Sequence, residues 1–230
     1  YQLASVGGVD PLLTLAVIVP LFFMLGVAMQ WLLARFAVSP LNSLLATFGI
    51  TAIIEAGIQA VWTADFRKLE SVYAAQKFRV GGLFVPVPEL IALVLALALS
   101  FGIWAAMRYT DLGRAMRALA EDAPVAAAFG INRRAHALVL SGVCGALAGI
   151  AGVCLALGFT LTPAQMYAWV GVVFAAVMLG GLGSALGPLV AGILIGVSEA
   201  ITMVFLSPSW APIVSFTLLI ALLLLRPGRT

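Results

Sequence analysis

Residues 137–159 read ALVLSGVCGALAGIAGVCLALGF. Nothing in this run alternates between apolar and polar with a period of two, as a membrane barrel strand must over about ten residues. Its length matches the roughly 20 apolar residues with which a helix crosses the hydrocarbon of a bilayer. The stretch therefore predicts a membrane helix. The whole chain has the same character: hydrophobic residues make up 63% of it, charged residues 9%, and mean hydropathy is +1.17, against roughly 25% charged residues in a soluble domain.

Further apolar runs place crossings at about 11–33, 41–62, 89–107, 137–159, 168–182, 188–206 and 211–225, of which the fifth and seventh are short. Backbone groups in hydrocarbon must be satisfied within each span, so the expectation is an all-α, polytopic helical bundle forming one transmembrane domain over 1–230. Lys and Arg set its orientation. With the N-terminus outside, eight basic residues fall in inner loops and the tail (Arg35, five in 108–136, Arg226 and Arg229). Four fall outside: Arg67, Lys68, Lys77 and Arg79. The count favours a cytoplasmic C-terminus. The same rule accounts for the pI near 9.2, and no aromatic-interleaved basic patch calls for a nucleic-acid partner. No cleavable signal pattern is visible at the start, and the chain begins at Tyr1, so further residues are expected to precede it.

Catalytic chemistry finds no footing. There is no GxSxG, no HExxH and no Gly-Lys-Ser/Thr, so if ATP drives transport here, another subunit must supply it. Cys144 and Cys154 lie ten apart on one helix, beyond disulfide reach, and read as lipid-facing or packing residues. His136, the single histidine, has no second ligand near it, and neither metal nor cofactor is expected.

Two features inside the spans admit either a functional or a structural reading. Gly180, Gly181, Gly183 and Gly187, closed by Pro188, break a helix at membrane depth. Such a break lines a substrate path or gate, or makes a tight turn between two helices. Glu55, with Gln59 one turn below it, and Glu199 are acids at a depth that costs at least about 2.5 kcal/mol. They line a path or carry a proton, or else they satisfy helix-to-helix hydrogen bonds. The small residues Gly142, Gly145, Gly149 and Gly152, like Gly192 and Gly196, recur at three- and four-residue spacing and predict close helix packing.

The one long polar interruption among the predicted inner loops is 108–136, RYTDLGRAMRALAEDAPVAAAFGINRRAH, with five of the twelve basic residues and three of the nine acids. Thr110 or Asp111 can cap a helix whose apolar stripe is Leu112, Ala115, Met116 and Leu119 and whose charged stripe is Arg114, Arg117 and Glu121. Asp122 with Pro124 starts a second helix, Gly130 is placed to end it in the left-handed conformation, and Asn132 can cap the next span. A helix lying on headgroups is one reading. Short length and mixed charge favour docking to a protein.

The order DLGRAMRALAEDAPVAAAFGIN, then HALVLSGVCGALAGIAG, then VMLGGLGSALGPLVAGILIGVSEA resembles the inner-membrane permease subunits of branched-chain amino-acid ABC transporters, relatives of the urea and short-amide permeases. The resemblance runs from about Ser39 onward and is strongest from Asp111 to Glu199. It implies that 111–132 is the cytoplasmic coupling element docking on an ATPase subunit, with Arg114, Arg117, Glu121, Asp122, Gly130 and Asn132 in that role. The implied partners are ABC ATPases, a second permease subunit in a homo- or heterodimer, and a periplasmic substrate-binding protein. The substrate path, read from the acids and the glycine break themselves, draws on Glu55, Gln59, Gly180, Gly181, Gly183 and Glu199. Such permeases carry a further upstream helix with an Asn-Phe-Ala-His-Gly type segment, which this chain lacks, and where the second span usually has Gln after LLATFGI this chain has Glu55 nearby. The alternatives are urea or short amides as substrate, or a proton-coupled secondary carrier working through Glu55 and Glu199.

Overall fold

The computed structural model describes residues 11–36, 40–62, 77–80, 83–161, 166–181, 183–205, 217 and 220. Its helices are α1 (Pro11–Phe36), α2 (Pro40–Trp62), α3 (Val87–Tyr109), α4 (Asp111–Glu121), α5 (Ala123–Ala128), α6 (Arg133–Gly158), α7 (Met166–Gly180) and α8 (Gly187–Phe205). Five of them, α1, α2, α3, α6 and α8, are long and apolar enough to cross a membrane. The first six expected crossings fall on α1, α2, α3, α6, α7 and α8. The seventh, 211–225, lies outside the described residues except for 217 and 220, and 63–76 and the tail lie outside them too. The protein is an all-α polytopic membrane protein with one addition that the sequence reading did not foresee. Between α2 and α3, strands β1 (Lys77–Val80) and β2 (Leu83–Pro86) pair antiparallel, Lys77 opposite Pro86 and Val80 opposite Leu83. The signal was present in KFRV and LFVP, rich in β-branched and aromatic residues, around two glycines of the kind that close a two-residue hairpin.

The chain divides into two compact units, Tyr1–Val94 with Met107–Pro163, and Leu95–Ala106 with Ala164–Thr230. In the first unit α1 and α6 form the principal packed pair, running antiparallel, so that Leu15 and Ile18 pack on buried Val153 and Leu157 while Gln30 meets Ser141 near the other end. Water is absent from the surroundings of such helices, so association rests on van der Waals fit and close backbone approach rather than on hydrophobic burial. Glycines provide that approach. A Cβ on Gly142 would stand 2.7 Å from the Phe23 ring, one on Gly149 3.0 Å from Ile18, and one on Gly145 would strike the Phe22 carbonyl oxygen. From the facing helix Gly26, which the sequence reading passed over, would collide with the Ser141 carbonyl. In the second unit α7 and α8 pack on one another, with Ala175, Ala191 and Ile195 buried.

The packing expectation holds for half of the glycine series. Gly152, Gly192 and Gly196 meet nothing within 4 Å among the described residues, so their spacing marks no contact there. Period alone does not say which face a partner occupies.

This geometry sets a stability prediction. Gly145→Leu is expected to lower the thermal midpoint in detergent by an amount equivalent to about 1–3 kcal/mol, the usual cost of overpacking, because the obstruction is backbone that no rotamer change can clear. Gly152→Leu, in open space, is the matched comparison. Equal midpoints for the two variants would remove the close approach from the account of stability.

Candidate functional site

The segment between α3 and α6 is built by capping at every junction. Thr110 closes the start of α4: its backbone is extended and its Oγ1 accepts from the Gly113 N–H at 3.1 Å. Asp122 then serves twice. Its N–H donates to the Ala118 carbonyl at 3.1 Å as α4 ends, and its Oδ1 accepts from the Val125 N–H at 3.0 Å as α5 begins, with Pro124 in the first turn. At the far end Ile131 N–H reaches the Ala126 carbonyl at 3.2 Å and Gly130 N–H the Ala127 carbonyl at 3.0 Å. With Gly130 at φ +86°, this is the paired 6→1 and 5→2 pattern of a Schellman ending. Asn132 Oδ1 accepts from Arg134 and Ala135 N–H at 3.1 and 3.2 Å and starts α6 four residues earlier than the hydropathy edge at 137. Each side-chain cap contributes about 1 kcal/mol. Three caps and one glycine ending over some twenty residues make a defined element, not slack chain.

Its faces match the sequence stripes with one exception. Ala115, Met116 and Leu119 are half-buried and Arg114, Arg117 and Glu121 exposed, but Leu112 is exposed rather than part of the covered stripe. The reason lies at Gly113. It is buried, and a Cβ there would stand 2.5 Å from Met107 Cα and 2.6 Å from Met107 C, so the first turn of α4 rests on the backbone of the last turn of α3 with Gly113, not Leu112, at the contact. Sequence reasoning left Gly113 out of the site. The available signal was a glycine in a helix interior, where it costs about 1 kcal/mol against alanine unless packing requires it.

Apolar groups on the outer surface were also missed. Phe129, at the end of α5, is 84% exposed, and Val125 and Leu112 are exposed with it. Together with the exposed Arg117 and Glu121 of α4, an exposed aromatic at the end of α5 gives the element the composition of an interface centre, in which aromatic residues and Arg are enriched. Arg114 is committed elsewhere, paired with Asp111 on its own helix. Both partners stand largely in solvent, where such a pair contributes little.

The membrane-depth candidates separate into two groups. Glu55 and Gln59 meet on α2, Gln59 Nε2 donating to Glu55 Oε1 at 3.3 Å, a bond within one helix and not the helix-to-helix bond of the structural reading. Glu199 is half-buried in the middle of α8, in the other unit. The glycine break is a compact connection: α7 ends at Gly180, α8 begins at Gly187, and each of these glycines would drive a Cβ into the backbone of the other. Ser184 Oγ accepts from the Gly187 N–H at 2.8 Å and caps α8, while Gly181 and Gly183 have φ of +85° and +91°. α7 holds 15 residues, about 22 Å of helix, short of the roughly 30 Å hydrocarbon thickness. Cys144 and Cys154 are free, and His136 Nδ1 lies 2.9 Å from the Asn132 carbonyl at the surface.

A family model described as the branched-chain amino acid transport system permease component matches residues 2–223. The chain belongs to this family. LivH of Salmonella typhimurium, a high-affinity branched-chain amino acid transport system permease protein, is 39% identical over 123 residues, 53% of this chain and 40% of LivH. LivH of Escherichia coli is 38% identical over the same shares. BraD of Pseudomonas aeruginosa, a permease protein of the same description, is 33% identical over 149 residues, 64% of this chain and 48% of BraD. The matched regions therefore span less than half the length of these relatives. No solved structure matches the chain.

Proposed function

We propose that this chain is the membrane-spanning permease subunit of an ATP-binding-cassette importer that brings branched-chain amino acids across a bacterial inner membrane. One observation carries the reading: the capped α4–α5 element, set between two membrane spans, turns Arg117, Glu121 and Phe129 outward on a support fixed at both ends. A scaffold of that kind transmits movement, because a push on α4 is delivered to α3 through Gly113 and to α6 through Asn132 rather than lost in loop. In this reading a separate ATPase subunit docks on 111–132, where Asp122, Gly130 and Asn132 hold the shape and Arg117 and Glu121 make the contact, with Arg114 steadied by Asp111. ATP hydrolysis belongs to that subunit.

A second permease subunit completes the path and a periplasmic protein delivers the substrate, while residues 1–230 of this chain form one transmembrane domain with its C-terminus in the cytoplasm. The candidate path residues are, unit by unit, Glu55 with Gln59 in the first and, separately, Gly180, Gly181, Gly183 and Glu199 in the second. The branched-chain substrate class is taken from the family description and supports that class over urea or short amides. The family description likewise supports an ABC permease over a proton-coupled carrier.

Arg117→Ala with Glu121→Ala tests the docking surface. Loss of two interface groups is expected to weaken recovery of the ATPase subunit in a gentle-detergent pull-down by about tenfold, at roughly 0.7 kcal/mol for each truncated contact of moderate weight. ATP-dependent leucine uptake should fall in parallel while membrane insertion stays intact. Unchanged recovery and uptake would remove α4 from the coupling surface.

A further inference from the structure

At the end of the α1–α6 pair lies a cavity of about 530 Å³ that none of the transport residues uses. Its walls include Arg35 and Trp31 from the last turns of α1, Arg133 and Arg134 from the first turn of α6, and below them Gln30 and Leu138. Three guanidinium groups thus line one space, and no acid is among the lining residues. Among the described residues no carboxylate stands within salt-bridge distance of any of the three. Like charges gathered without a counter-charge repel one another, an arrangement an anion relieves, and Arg presents a planar fork suited to phosphate oxygens.

We infer that this cleft binds the phosphodiester headgroup of an anionic phospholipid. The position sets the kind of ligand. α1's apolar span ends at Phe36 and α6's begins at Arg133, so the cleft opens at the level where hydrocarbon meets water, whichever leaflet that is. Basic pockets between membrane helices at that level suit anionic headgroups. The order of chemistry with depth is that of a lipid. Charge comes first, at Arg35, Arg133 and Arg134. An amphipathic ring follows, Trp31, with the Arg35 guanidinium 5.7 Å from its centroid, a residue type found at headgroup depth. Then comes the apolar wall at Leu138. Gln30 closes the inner side: its Oε1 accepts from Ser141 Oγ at 3.2 Å, which leaves the amide NH₂ as a donor at the cavity wall. The positive end of the α6 dipole adds to the field. A carboxylate side chain from a protein partner supplies the charge but not the acyl chains that continue past Leu138. The inference does not depend on the transport reading, only on α1 and α6 both crossing the bilayer.

The test is native mass spectrometry of the purified full chain, alone and with its ATPase partner. The probes are dioleoyl phosphatidylglycerol, dioleoyl phosphatidylcholine and inorganic phosphate. The wild-type chain should retain phosphatidylglycerol over phosphatidylcholine by about tenfold or more, resist displacement by equimolar phosphate, and keep the lipid when the ATPase is bound. Retention should fall about fivefold for each of Arg35→Gln, Arg133→Gln and Arg134→Gln, the equivalent of about 1 kcal/mol per basic residue, and should be unmoved by Arg108→Gln with Arg114→Gln. Equal retention of the two lipids, displacement by phosphate, or an equal loss in the Arg108 and Arg114 pair overturns the site. So does a lipid expelled by the ATPase together with loss of ATPase binding in the Arg133 and Arg134 variants, which assigns the cleft to a protein partner. The wild-type comparison stands even where a variant fails to fold.

Discussion

Gly187→Val is expected to abolish uptake, by more than about tenfold per folded molecule, and Gly183→Val to reduce it severalfold. The two glycines lie in one connection and meet different obstacles. At Gly187 a Cβ would strike the Gly180 carbonyl oxygen, come within 2.7 Å of its carbon and within 2.8 Å of Ser184 Oγ, the atom that caps α8. Backbone cannot rotate away as a side chain can, so α7 and α8 must part where they meet, at a cost at or above the 1–3 kcal/mol of ordinary overpacking. At Gly183 an added Cβ would meet nothing within 4 Å among the described residues, but φ is +91° and a branched side chain is strained in that conformation. The measurement is leucine uptake in reconstituted vesicles, normalised to correctly folded permease by size exclusion. A Gly187→Val variant with wild-type uptake per folded molecule shows that close approach of the two helix ends serves assembly alone. Uptake lost more in Gly183→Val than in Gly187→Val assigns the requirement to backbone conformation instead.

The ends and faces of the membrane helices were legible to different degrees. Crossings could be placed because about 20 apolar residues are needed and few charges are tolerated, a constraint strong enough to act on single spans. The caps at Asp122, Gly130 and Asn132 were legible because each is a local arrangement of a few residues whose chemistry permits few conformations. What could not be read depends on neighbours distant in sequence. Gly26, Gly142, Gly145 and Gly149 meet the facing helix of the α1–α6 pair, whereas a Cβ at Gly152, Gly192 or Gly196 would meet nothing within 4 Å among the described residues, so spacing alone does not separate the two sets. The β1–β2 hairpin was missed for a different reason. Attention to hydropathy treated the residues between two spans as connection, when FRVGGLFV carried a local strand-turn-strand signal of its own. Among the candidate path residues, sequence left two readings open for each acid. The Gln59 bond ties Glu55 within its own helix, which is neither of those readings, and Glu199 lies half-buried on α8.

Gly113→Val should uncouple the protein more completely than any change to the charges of α4. Arg117 and Glu121 each contribute one exposed contact, whereas Gly113 fixes where all of α4 stands. Its Cβ position is occupied by the Met107 carbonyl oxygen and lies 2.5 Å from Met107 Cα, so any side chain there lifts the first turn of α4 from α3. Lifting that turn also strains the Thr110 cap, whose hydroxyl accepts from the Gly113 N–H. Arg117 and Glu121 lie one and two turns further along the same helix, and even a small tilt displaces them together with the apolar face of Ala115, Met116 and Leu119. Interfaces tolerate such shifts poorly, because complementarity is lost across the whole patch at once. Recovery of the ATPase subunit in pull-down is therefore expected to fall by well over tenfold, and ATP-dependent uptake with it, beyond the effect of the Arg117 and Glu121 double variant. Gly130→Ala is the graded control. It carries φ of +86° but has open space around it, so it should cost about 1 kcal/mol of local stability and leave most of the coupling. The ranking decides the matter: full ATPase recovery in Gly113→Val, or a larger loss in Gly130→Ala, would show that the attitude of α4 against α3 does not govern coupling.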